Sequence, residues 1–106
     1  MKLLPTRLGA QMRTARLRAE RTALDHKAMK QARHAEHVLR DMLALQDELS
    51  RREPTVADLR RFADLQAQHE ALQAELRRMT THFNAIAAEL GHLTGIPHPA
   101  FPTERT

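Results

Sequence analysis

Between residues 62 and 93 the chain repeats apolar positions at alternating steps of three and four: Phe62, Leu65, Leu72, Leu76, Met79, Phe83, Ile86, Leu90 and Leu93. His69 is the one polar member of the series. This is a heptad seam. A straight α-helix drifts off a seven-residue repeat, so a seam kept this long calls for a partner helix that supercoils around it. The pattern predicts a helix from about residue 55 to 94, with a positions at 62, 69, 76, 83 and 90 and d positions at 65, 72, 79, 86 and 93.

A second heptad pattern lies upstream. Its a positions are Thr14, Arg21, Ala28, Ala35, Met42 and Leu49, and its d positions are Ala10, Leu17, Leu24, Gln31, Val38 and Leu45. It predicts a first helix from about residue 6 to 52, after a leader of residues 1–5. Pro5 suits a first helical turn, where its missing N–H has no intrahelical partner to lose. Pro54 stops the first helix by removing a donor and driving Glu53 out of the helical region. Thr55 and Asp58 stand three apart, the spacing of a capping box, and start the second helix at once. Gly95 fits the left-handed residue that closes a helix, with Ile96 placed to fold back on Leu90. Residues 96–106, rich in proline and without period, are expected to form a flexible tail.

The link between the helices is about three residues long, and helix connections that short make antiparallel neighbours. Folding the chain there sets Leu45 on Phe62, Met42 on Leu65, Val38 on His69, Ala35 on Leu72 and Leu17 on Leu90. In each rung an a position meets a d position, and the two residue numbers sum to 107. Two patterns assigned separately agree on one register. Flanking g positions agree too: Asp41 falls near Arg61, Lys27 near Glu75, Glu20 near His82 and Arg13 near Glu89. The expected fold is therefore all-α, a long antiparallel two-helix coiled-coil hairpin over residues 6–95. Pairing of two copies into a four-helix bundle would be a natural extension of it. Thr14, Arg21 and Gln31 occupy core positions, so the seam is expected to weaken toward residues 6–21.

Composition supports the helical reading. The chain has 106 residues, 28% of them charged, with three glycines and neither tryptophan nor tyrosine. Cysteine is absent, which removes disulfides and thiolate chemistry and suits a reducing, cytoplasmic setting. No apolar run approaches the roughly 18 residues of a membrane span. Residues 1–34 carry a net charge of +7 and the remainder −3.

Candidate chemistry is sparse. Ser50 is the only serine, and there is neither a glycine-rich phosphate loop nor a nucleophile motif, so no enzyme and no cofactor is expected. Of the seven histidines, His34, His37 and His69 invite a zinc reading, but they occupy g, c and a positions that do not converge. No metal site is expected, and His69 reads as a polar rung that holds register. What stands out is a second apolar stripe on the first helix, Met29, Ala32, Leu39 and Leu43, beside the seam. It is the expected docking face for a partner helix or a second copy. The layout resembles, in form only, the rod-shaped stalk and adaptor proteins of bacterial secretion and flagellar export machines, which are also antiparallel helical hairpins. The expected function is that of a non-enzymatic adaptor or assembly protein. The alternative is a basic helical accessory protein for plasmid or phage DNA handling. It would lay Arg7, Arg13, Arg16, Arg18, Lys27, Lys30 and Arg33 along a nucleic-acid backbone or an acidic partner. No aromatic residue interleaves these cations for base stacking.

Overall fold

A computed structural model of the chain describes residues 3–101, with the surroundings of side chains from residue 7 onward. It holds two helices, α1 (Leu3–Leu49, 47 residues) and α2 (Val56–Thr94, 39 residues), and no strand among the described residues. The chain is an all-α helical hairpin. Its contacts divide it into a terminal unit, residues 1–27 with 78–106, and a turn unit, residues 28–77.

Burial follows the heptads. Along α1 from Gln11 to Leu49, the covered residues are Thr14, Leu17, Arg21, Leu24, Ala28, Gln31, Ala35, Val38, Met42, Leu45 and Leu49, and every other residue is exposed. These are the a and d positions and nothing else. On α2 the ten seam residues from Phe62 to Leu93, His69 included, are all buried or half-buried. α1, with one narrow covered stripe, has one partner, the other helix of the hairpin; α2 is covered more widely, at Gln73, Ala74, Glu75, Thr80, Asn84 and Ala87 as well.

In the turn unit, Ala35, Val38 and Leu45 are the buried members of α1. The alanine admits close approach to the bulkier Leu72 assigned to its rung. The turn is secured by local bonds. Ser50 N–H donates to the Gln46 and Asp47 carbonyls at 3.1 and 3.2 Å, ending α1 three residues before the expected boundary. The predicted capping box is closed in both directions: Asp58 N–H donates to Thr55 Oγ1 at 3.1 Å, and Thr55 N–H donates to Asp58 Oδ2 at 2.9 Å. Aspartate, though shorter than glutamate, reaches. Arg52 adds a fork, Nη1 and Nη2 donating to the two Asp58 oxygens at 2.6 and 3.1 Å.

That cluster has a consequence for acid stability. The hydrogen bonds from Arg52, then those from Thr55, hold the Asp58 carboxyl well below its ordinary value, and the carboxylate holds Arg52 further above its own. A depressed carboxyl contributes stability that is present above the unfolded value and is lost as pH falls toward the folded one. The gap in melting temperature between the native chain and Asp58→Asn is therefore expected to be widest at neutral pH and to close below about pH 4. Paired melts across that range check it, and a gap that widened in acid would contradict the assignment.

In the terminal unit, Leu17, Ile86 and Leu90 form one buried cluster, with Leu24 and Leu93 packed against it. Leu17 and Leu90 are a predicted rung. Arg13 forms the predicted ion pair with Glu89 across the helices. The seam thins where weakening is expected: residues 7–13 are all exposed, the d-position Ala10 among them, and burial begins at Leu17 in the cluster with Leu90. Arg21, which the seam buries only half, sets its guanidinium 5.7 Å above the Phe83 ring. A planar cation stacks on an aromatic face while its stem covers apolar surface, so the core position is filled without stranding a charge.

The chain end differs from expectation in two ways. Gly95 takes the left-handed conformation (φ 71°) and donates to the Gly91 carbonyl at 2.9 Å. Yet Ile96 does not fold back on Leu90; it is 63% exposed, and its N–H donates to Thr94 Oγ1 at 3.2 Å. This is the single-bond left-handed cap, not the longer motif with its apolar contact. Residues 97–101, part of the expected flexible tail, run back along α2. A side chain at Gly91 would meet the Ile96 carbonyl at 3.5 Å. Seven residues upstream, Asn84 grips one residue of the returning strand: its Oδ1 accepts from Phe101 N–H at 2.8 Å and its Nδ2 donates to the Phe101 carbonyl at 2.7 Å. The rings of Phe101 and Phe83 lie 4.8 Å apart. Ala87, between Gly91 and Asn84, is 2% exposed. Residues 1, 2 and 102–106, parts of the expected leader and tail, lie outside the described residues.

Candidate docking surface

The residues proposed from sequence as a docking stripe, Met29, Ala32, Leu39 and Leu43, all belong to the turn unit and all are exposed there. They occupy b and e positions of α1, the flank beside the seam. In an antiparallel coil the e positions of the two helices lie on the same flank. On α2 that flank carries Leu59 at e and Val56 at b, two residues the sequence reading did not single out. Met29, Leu39, Leu43, Val56 and Leu59 are 40–66% exposed. Single exposed leucines are ordinary, but five large apolar side chains on one flank of a small unit make a patch. Val56 and Leu59 were missed because one turn of helix is too short to show a period. The signal that marks them is the e position of Leu59, found by carrying the α2 heptad one step before Phe62.

The flank is polar at its edges. Glu36 and Arg40 pair at 2.7 Å on α1, and Asp47 pairs at 3.0 Å with Arg51 just past its end. Gln46 and Gln66 share the e flank with the apolar residues and are exposed. A helix laid here would meet an apolar stripe bordered by amides and paired charges, the surface that amphipathic helices recognise.

The other candidate residues are dispersed. In the terminal unit Arg7, Arg16, Arg18 and Lys27 are exposed, and Arg13 is engaged by Glu89. In the turn unit Lys30 and Arg33 are exposed. Their heptad positions, a, c, e and g in the first unit and c and f in the second, turn them around the helix instead of gathering them on a face. His34 and His37 are exposed, while His69 is half-buried and lies 3.4 Å from Gln73 Nε2. Among the described residues no three His, Asp or Glu side chains stand close enough to hold a metal ion. In the terminal unit Arg21, Phe83, Pro99, Ala100 and Phe101 line a shallow cavity of about 120 Å³, a by-product of the returning strand with room for only a few atoms. No described helix is long and apolar enough to cross a membrane.

What fold and surface define is a helical hairpin with a bare apolar flank on its turn unit. No family model, no curated protein and no solved structure matches the chain.

Proposed function

We propose that this chain is a non-enzymatic adaptor or assembly protein that docks a helix on the flank formed by Met29, Ala32, Leu39, Leu43, Val56 and Leu59. The observation that carries the reading is the exposure of large apolar side chains on this flank of the turn unit, beside a seam that is otherwise closed. Leaving five such side chains in water forgoes burial worth about 1.5–3 kcal/mol for each one fully covered. A chain with 28% charged residues has ample polar alternatives for exposed positions. The lack of cysteine suits a reducing compartment, and the cytoplasm is the location this reading assigns.

The test is Leu39→Asp with Leu43→Asp. Both sites are exposed in the single chain, so helicity is expected to be retained. Self-assembly or partner binding, read as mass by size-exclusion with light scattering, is expected to be lost, since a docked helix would bury two carboxylates. Assembly that persists in the double variant refutes the docking face.

A further inference from the structure

We propose that the occupant of this flank is the same flank of a second copy, packed antiparallel so that Leu39 of each chain meets Leu43 of the other. The proposal rests on the docking reading above and names its partner. The argument is one of register. On α1 within the turn unit, the flank positions are Met29, Glu36 and Leu43 at b, and Ala32, Leu39 and Gln46 at e. They repeat at steps of three and four like a second seam, and in an antiparallel pair b residues of one helix meet e residues of the other.

Few registers are available, and they differ in what they bury. One sets Leu43 on the second copy's Ala32, but then Glu36 lands on Leu39, a carboxylate on an apolar side chain. Sliding one heptad one way sets Glu36 on Ala32 and takes Leu43 off the flank altogether. Sliding two heptads the other way leaves Leu43 on Gln46. The remaining register sets Leu39 on Leu43 twice, by symmetry, and puts Gln46 opposite Glu36, an amide beside a carboxylate that it can hydrogen-bond.

The charges at the rim favour the same register. Arg33 and Arg40 lie on one side of the two-fold axis at f positions, and Asp47 lies on the other. In the leucine-on-leucine register each Asp47 falls between Arg33 and Arg40 of the second copy. The first register in contrast brings Arg33 beside Arg40. Arg40 and Asp47 already hold partners on their own helix, with side chains at least 59% exposed, so bridging across asks only for rotation at the surface. Met29 then comes beside the second copy's turn, where Val56 and Leu59 begin α2. All the bare apolar residues of the unit are used. Isologous pairing of one patch with itself is the commonest route to a soluble dimer.

A charge-exchange experiment on the full chain tests this. One variant carries Arg33→Asp with Arg40→Asp, and the other carries Asp47→Arg. The native chain is expected to be a dimer by sedimentation equilibrium. Each variant alone is expected to dimerise about tenfold more weakly or worse, because like charges then face each other across the axis. Mixed in equal amounts, the two are expected to recover a heterodimer of native strength. Circular dichroism confirms that all remain helical. A native chain that is monomeric at every concentration overturns the second copy as occupant while leaving the docking face to the leucine-to-aspartate test. A dimer that both charge variants leave untouched, or that mixing does not restore, overturns the register.

Discussion

Replacing Leu90 with alanine is expected to cost about 3 kcal/mol, and little else in the chain would cost as much. Leu90 is 0% exposed and is clustered with Leu17 and Ile86, with Leu24 and Leu93 against them. Truncation removes three carbons from a site packed among Leu17, Ile86, Leu24 and Leu93, and close-packed surroundings relax only partly to fill the gap. Domains are stable by only about 5–15 kcal/mol, and a two-helix hairpin stands at the low end, so the loss is a large fraction of the whole. Urea unfolding followed by helical ellipticity reads it as a shift in midpoint. The control is Leu8→Ala, a residue 58% exposed, which should shift stability by no more than about 0.5 kcal/mol. Equal effects at the two positions would mean that the seam is misassigned.

His69→Leu is expected to act in the opposite direction, raising stability by about 1–2 kcal/mol. His69 occupies an a position in the turn unit, half-buried, on the rung assigned to Val38, which is 4% exposed. It lies 3.4 Å from Gln73, near the outer limit of a hydrogen bond. An imidazole so placed gives up part of its hydration for a weak bond, and a leucine there extends the apolar seam. What the histidine supplies is specificity: a polar rung is tolerable only in the register that leaves it a partner. The variant should therefore melt higher by circular dichroism. A variant that melts lower would show that the Gln73 contact outweighs the gain in apolar packing.

The heptads on this chain were legible because they are periodic, and a period repeated five or six times outweighs any single exception. Arg21 and His69 did not hide the seam for that reason. The cap at Thr55 and Asp58 and the left-handed Gly95 were legible because they are local: the bonds that define them span three or four residues. Even the pairing of Arg13 with Glu89, 76 residues apart, followed from register alone. The exposed apolar stripe on α1 was legible by the same arithmetic, as apolar residues at b and e positions. Val56 and Leu59 were not, because they stand at a helix start where no repeat has yet accumulated.

By itself, then, the amino-acid sequence determined two helices, their boundaries to within a few residues, the stripe that α1 buries, the seam of α2, and the rung of Leu17 with Leu90. The tertiary structure alone decided how the exceptions are accommodated. It set Arg21 over Phe83, brought Arg52 into the cap of α2, turned residues 97–101 back along α2 under the grip of Asn84, and left one flank of the turn unit bare. The physical reason is the range of the forces concerned. Helix formation and seam register are summed over many equivalent positions and so leave a repeating trace. A cation over a ring, or an amide closing on a distant peptide, is one contact between side chains that carry no common period, and it exists only once the two helices have placed them side by side.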